Sequence, residues 1–324
     1  MINLTVIGCG KIGTSIGLAL KDHSQEIHRT GFDRFPASSK KALDMGAFDK
    51  VVINIAESIE NVDIVILATP VDETKITIDT INPLLKPESI LIDTSPIKIH
   101  IKEYIEEKLP ENRYFVSMFP TINSDYIDEL ENSPEKARDD LFHRALFVIT
   151  GSSRTNNEAF KLATDLSRYM GAQVLFADPH ELDGLLAATE ILPKLISAAY
   201  IHAVMDQIGW KEGRKVTNSA FFSLVKLITQ LDEREDFGMS AYLNKENSVR
   251  VIDNLIVSLK DIRKYIQDEN LPAIQKWYQD SFDNQENWFE ERDLAAWNKA
   301  PNHGEIPSST DFFKSNMFWK KKKR

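Results

Sequence analysis

Short apolar runs alternate with stretches of helical period through the first half of the chain, and long helical periods replace them in the second half. Residues 2–7 form the first apolar run, leading into Gly8-Cys9-Gly10-Lys11-Ile12-Gly13 and then a helical stretch, 14–20. A second strand is predicted at 26–32, a helix at 38–45 bounded by Gly46, and a third strand at 51–55. Residues 64–68 are apolar throughout, as in a strand covered on both faces by crossover helices. The pattern continues with a helix over 72–85 opened by an acidic cap, a buried strand at 89–92 and another at 114–117. The polar, acidic stretch 124–140 reads as a surface excursion, 145–150 as a strand, 156–169 as an amphipathic helix, and 172–176 as the strand that closes the sheet. Strands alternating with helices in this way predict an α/β fold with a doubly wound, mostly parallel sheet.

From Asp178 onward no βαβ pattern recurs, and helices are predicted at 178–206, 216–231, 248–267 and 271–297. The expected organisation is a sheet domain over 1–177, an all-helical domain over 178–297, and a tail over 298–324 without clear period. The tail ends in Lys320-Lys321-Lys322-Lys323-Arg324, which reads as a solvated terminus. Apolar helices of this length predict self-association, most simply as a homodimer.

The glycine pattern narrows the chemistry of the first domain. Gly8 suits a tight turn, Gly10 close backbone approach to a pyrophosphate, and Gly13 close helix–strand packing; the amides of the following helix then hold the phosphates. Asp33 closes the second strand twenty residues after Gly13, where an acid accepts the ribose hydroxyls of a dinucleotide. A Rossmann dinucleotide domain is therefore expected, with Gly8, Gly10, Lys11, Ile12, Gly13, Asp33, Arg34, Thr69 and Pro70 around the cofactor. The Asp33 carboxylate favours NAD, while Arg34 beside it leaves NADP possible. The switch-point rule places 8–13, Thr69-Pro70 and 93–98 on one cleft.

Composition excludes several other functions. A net charge of −10 over 324 residues argues against a nucleic-acid partner. A single cysteine, Cys9, supports no disulfide framework and points to a reducing compartment. No secretory leader pattern opens the chain, and no apolar run reaches the roughly 18 residues of a membrane span. A cytoplasmic protein without a membrane partner is expected, and no metal-ligand spacing stands out.

Taken together, Gly8-Cys9-Gly10-Lys11-Ile12-Gly13, Gly31-Phe32-Asp33-Arg34, Ile66-Leu67-Ala68-Thr69-Pro70-Val71, Asp93-Thr94-Ser95-Pro96-Ile97-Lys98 and Ile191-Leu192-Pro193 resemble the prephenate and arogenate dehydrogenases. The resemblance covers roughly residues 1–295. It implies a Rossmann domain followed by a helical dimerisation domain, and NAD(P)-dependent oxidative decarboxylation of a small carboxylated cyclohexadienol on the route to tyrosine. A dinucleotide-binding regulatory protein without catalysis and a β-hydroxyacid-type dehydrogenase are the alternatives.

Three departures qualify that implication. The family's His-Pro-Met-Ala-Gly motif reads Phe119-Pro120-Thr121-Ile122-Asn123 here, its Ser-His-Leu-Pro-His segment reads Glu190-Ile191-Leu192-Pro193-Lys194, and the arginine for the substrate carboxylate falls near Lys226. Leu182 replaces the histidine of the family's His-Asp pair, while Asp183 is kept. Phenylalanine accepts no proton, so the base must lie elsewhere. Ser95 matches the family serine that binds the reacting hydroxyl. Glu190 is the first candidate base and His180 the second, with Lys194 and Lys226 as anchors for a substrate carboxylate.

Overall fold

The protein is described from a computed structural model, in which residues 1–229, 238–295 and 297 are described. The expected tail over 298–324 lies outside the described residues.

Eight strands form one sheet in the order β3-β2-β1-β4-β5-β6-β7-β8. They are β1 (Ile2–Ile7), β2 (Ile27–Phe32), β3 (Lys50–Val52), β4 (Ile64–Leu67), β5 (Ile90–Asp93), β6 (Tyr114–Pro120), β7 (Leu146–Thr150) and β8 (Gln173–Phe176). Only the β6–β7 pairing is antiparallel. The order of the first six strands is that of a doubly wound dinucleotide fold.

Both faces of the sheet are covered, which explains why β4 is apolar at every position. Ile64 and Ile66 point to one core with Leu4, Val6, Ile92 and Val116, and Val65 and Leu67 point to the other with Leu91 and Phe115. Helices α1 (Lys11–Ala19) and α2 (Pro36–Asp44) pack on the first face; α3 (Ile55–Ile59), α4 (Val71–Ile81) and α5 (Ile99–Lys108) pack on the second. Helix α6 (Asn157–Tyr169) buries Ala159, Ala163, Leu166 and Ser167, a one-sided stripe at helical spacing, on the first face. Its Asn156 cap accepts the Ala159 N–H.

Several predicted boundaries move. The third strand ends at Val52 rather than 55, because the Asn54 side chain accepts the Ala56 N–H and starts α3. Helix α4 begins on Pro70 without a side-chain cap, and Asp72 and Glu73 occupy its first turn, where their charge suits the dipole. Strand β6 runs on through Phe119 and Pro120 because it pairs there with β7.

Beyond β8 the chain turns helical: α7 (Pro179–Leu186), a π-helical turn at Ala187–Ile191, α8 (Leu192–Met205), α9 (Trp210–Gly213), α10 (Ser219–Thr229), α11 (Met239–Leu243), α12 (Lys245–Gln267) and α13 (Leu271–Asp293). The predicted helix over 178–206 is thus one run with a π turn inside it. That run, Pro179–Met205, has an 18-residue window of mean hydropathy 1.3 and is long and apolar enough to cross a membrane by length and composition, contrary to the sequence-based expectation. Its contacts give a second reason for the apolar composition. Leu182 and Leu186 pack with Val148 of β7, and Ala187 and Ile191 pack with Val71 and Ile97.

By contact density the chain forms two units, Met1–Ile256 and Val257–Arg324. The change from sheet to helix at Asp178 therefore lies inside the first unit. The described part of the second unit is the end of α12 and α13, whose Tyr278, Phe282 and Trp288 side chains are exposed.

Candidate active site

Close packing explains the glycines of the first turn. Gly8 has φ +99°, and a Cβ there would lie 2.3 Å from the Ala68 carbonyl oxygen. A Cβ on Gly13 would lie 1.9 Å from the Gly8 carbonyl oxygen. Neither position tolerates a side chain, and helix α1 is thereby drawn against the ends of β1 and β4. Gly10 caps α1 without a side chain; the Lys11 N–H meets Asn132 Oδ1, and the amides of Ile12 and Gly13 are left for an anion. Lys11 and Gly13 are buried, and Ile12 packs on the core. The Cys9 thiol is buried too, and burial, followed by the charge of Asp33, pushes its pKa far up, so it is unreactive.

Asp33 joins the two sides of the cleft. One carboxylate oxygen accepts the Cys9 N–H at 2.7 Å and the other accepts the Phe35 N–H at 2.8 Å. A cavity of about 380 Å³ opens here, lined by Gly8, Gly10, Asp33, Arg34, Thr69 and Pro70 among others. Arg34 pairs with Glu73 and lies over the Phe35 ring, 4.6 Å from its centroid. With Arg34 balanced by Glu73, the Asp33 carboxylate sets the local charge, which suits free ribose hydroxyls better than a 2′-phosphate. The glycine cradle, open amides and fixed carboxylate fit a dinucleotide.

The 124–140 stretch does more than cover surface. Asn132 Oδ1 accepts the Lys11 N–H at 3.2 Å, and the Glu129 carbonyl accepts the Lys11 ammonium at 2.7 Å. Ser15 Oγ accepts the Arg138 N–H at 3.0 Å, and Arg138 pairs with Glu129 at 2.7 Å. The stretch is folded over the start of α1, and Asn132, Ser133 and Pro134 form part of the cavity wall.

A second polar group lies at the ends of β5 and β6, where Leu67, Asp93 and Ser117 stand in register across three parallel strands. Asp93 is fully buried, and Ser95, Ser117 and Lys98 are nearly so. Asp93 Oδ2 accepts from Ser95 Oγ at 3.0 Å and Ser117 Oγ at 3.3 Å, and Lys98 Nζ is 3.3 Å from the same oxygen. Lys98 Nζ also lies 5.8 Å from the Phe119 ring centroid. Burial holds the Lys98 ammonium below the ordinary lysine range, and Asp93 and then Asp183 draw it partly back. Asp183 anchors α5 through the Lys98 and Ile99 N–H groups, at 2.7 and 3.0 Å. Burial raises its pKa against those hydrogen bonds.

Phe119 and Leu182 meet in one apolar cluster with Val148 and Leu186. The two positions where the resemblance places histidines are therefore joined as hydrocarbon.

Of the candidate catalytic residues only Ser95 lies in the buried polar group. His180 is exposed in the first turn of α7, its N–H held by Asp178; Glu190 is half-buried in the π turn. Lys194 on α8 is exposed and Lys226 on α10 half-buried. Asp93, Lys98 and Ser117 are the residues that sequence reasoning passed over. The available signal was a lysine between Ile97 and Ile99 at the end of a buried strand. Among the described residues no group of three or more His, Cys, Asp or Glu is placed to hold a metal.

Fold and cleft together define a dinucleotide-binding protein of the Rossmann type with a helical extension. Residues 16–176 match the family described as prephenate dehydrogenase, nucleotide-binding domain. The chain is 24% identical over 200 residues to the prephenate dehydrogenase of Bacillus subtilis, covering 61% of this chain and 53% of that protein. It is 26% identical over 204 residues to the cyclohexadienyl dehydrogenase of Zymomonas mobilis, covering 62% of this chain and 67% of that protein. The match thus spans about half the length of the Bacillus relative. The crystal structure of A. aeolicus prephenate dehydrogenase with hydroxyphenyl propionate and NAD+ has the same fold, with a TM-score of 0.74 over 89% of this chain and 98% of that one, at 19% identity. Through residues 16–176 the chain belongs to the prephenate dehydrogenase family.

Proposed function

We propose that the chain is an NAD-dependent dehydrogenase that oxidises a small carboxylated cyclohexadienol of the prephenate or arogenate kind. The observation that carries the reading is the register Leu67, Asp93, Ser117, which sets the buried Ser95–Asp93 pair on the same strand-end crest as the glycine cradle. NAD is the cofactor; bound in that cradle, it supplies the hydride acceptor. Ser95 orients the reacting hydroxyl, and loss of the ring carboxylate as CO2 accompanies hydride departure. Lys194 and Lys226 serve as point-charge anchors for the substrate carboxylate. Glu190 and His180, the candidate bases read from the sequence, lie on the helical side and outside the buried polar group.

We place the enzyme in the cytoplasm as a homodimer formed through the helical part, 178–297, with the helices of the first unit completing the substrate site. The half-exposed apolar faces of α8 and α10 support that arrangement, with Phe222 and Leu224 open to solvent.

The decisive experiment measures NADH formation from prephenate and from arogenate. Turnover of either supports the reading, and Glu190→Gln then abolishes it if Glu190 is the base. A second reading, dinucleotide binding without catalysis, draws on the apolar Phe119–Leu182 cluster. It gains if NAD binds, neither substrate turns over, and Phe119→His restores nothing.

A further inference from the structure

Oxidation of a hydroxyl requires a proton acceptor that reaches the hydroxyl directly or through a short relay. Phe119 is half-buried and carries no such group. We infer that the proton leaves along Ser95, Asp93 and Lys98, with the Lys98 amine as its final acceptor; this rests on the dehydrogenase reading above.

Each link is a contact in the fold. Ser95 Oγ donates to Asp93 Oδ2 at 3.0 Å, and Lys98 Nζ lies 3.3 Å from that same oxygen. The reacting O–H gives its proton to Ser95 Oγ as Ser95 passes its own to Asp93, and Asp93 passes one to the Lys98 amine. The pair of electrons in the carbinol C–H bond leaves as hydride to NAD and the C–O bond becomes a carbonyl; as the ring carboxylate departs as CO2, its bonding pair moves through the ring to that oxygen and leaves an aromatic phenolate. Asp93 and Ser95 end as they began; Lys98 is an ammonium, charged beside a carboxylate, until the phenolate takes its proton back along the same path.

The surroundings favour a lysine that starts neutral. Its side chain is entirely enclosed, Phe119 covers one side, and the charged groups acting on it are Asp93 and Asp183. Asp183 faces the backbone of the same turn, where it accepts the Lys98 and Ile99 N–H groups. Enclosure favours the neutral amine, whereas Asp93 stabilises the ammonium once the proton arrives, the balance a base near neutral pH requires. Lys98 acts through Ser95 and is in that sense a positioning residue for the proton.

Three readouts test the path. NMR titration of the Lys98 Nζ and Cε signals in the NAD-bound protein is expected to show deprotonation well below an ordinary lysine; a lysine still fully protonated at about pH 10 overturns the inference whether or not a substrate is turned over. With prephenate or arogenate, Lys98→Met and Lys98→Arg are both expected to lower kcat about a hundred- to ten-thousand-fold without changing NAD affinity, since arginine keeps the charge but does not deprotonate. An active Lys98→Arg enzyme overturns the inference and leaves the dehydrogenase reading standing. Asp93→Asn breaks the relay as well as removing the charge that favours the ammonium, so kcat is expected to fall about as far as in Lys98→Met; a fully active Asp93→Asn enzyme also counts against the path. Should Lys98→Met fail to fold, the Lys98→Arg rate and the NMR titration decide. A wild-type protein inert on both substrates removes the dehydrogenase reading, while the titration still decides whether Lys98 is neutral.

Discussion

The cofactor cleft and the buried polar group sit on the same strand ends yet are built differently. The cleft is made of backbone: glycines that must lack a Cβ, helix amides, and one carboxylate fixed by two N–H groups. The polar group is made of side chains, Asp93, Ser95, Ser117 and Lys98, held by one another under Phe119. A backbone site withstands extensive sequence change provided its glycines remain. A side-chain site is remade by one or two substitutions. That difference accounts for a chain that keeps the family's cradle while carrying hydrocarbon where the resemblance places imidazole.

Substitutions in the cradle sharpen the comparison, beginning with Gly13→Ala. A Cβ 1.9 Å from the Gly8 carbonyl forces α1 off the sheet, and the expected loss exceeds about 4 kcal/mol. Thermal unfolding is the check, and a Tm within a few degrees of the parent refutes the packing account. Gly10→Val separates binding from folding. Its Cβ would meet the flexible Asn132 side chain at 3.3 Å and the Asn132 backbone oxygen at an ordinary 3.5 Å, so the fold is expected to survive while NAD affinity falls by about a hundredfold or more. Calorimetric titration that finds unchanged affinity removes the turn from the pyrophosphate site.

Smaller effects probe the rim. Asp33→Asn keeps the shape and loses the charge, and the preference for NAD over NADP is expected to fall roughly tenfold, about the worth of a charged hydrogen bond. An equal loss for both cofactors contradicts the ribose assignment. Asn132→Ala frees the Lys11 N–H for the cofactor and is expected to tighten NAD binding by about two- to tenfold, the range of one neutral hydrogen bond. Weaker binding in that variant means instead that Asn132 contacts the bound cofactor directly.

The pattern of apolar and polar residues was enough to predict the sheet, because buried parallel strands demand runs such as Ile64-Val65-Ile66-Leu67 and leave few other readings. The cradle was equally readable, since Gly8, Gly13 and Asp33 are dictated by local geometry within some thirty residues of chain. Element ends were less so. Asn54 ends a strand only because its side chain caps a helix, and Phe119 extends β6 only because β7 lies alongside.

What the tertiary structure alone decided is which distant residues share an environment. The polar 124–140 stretch carries no local mark that Asn132 and Glu129 close over Lys11, more than a hundred positions earlier. Lys98 reads in sequence as one more solvated lysine; only the convergence of β5, β6 and α5 encloses it beside Asp93 and changes its chemistry. Local pattern determines secondary structure because backbone sterics and burial period act over a few residues. Protonation and reactivity depend on desolvation and neighbouring charge, which the chain acquires only when remote segments pack together.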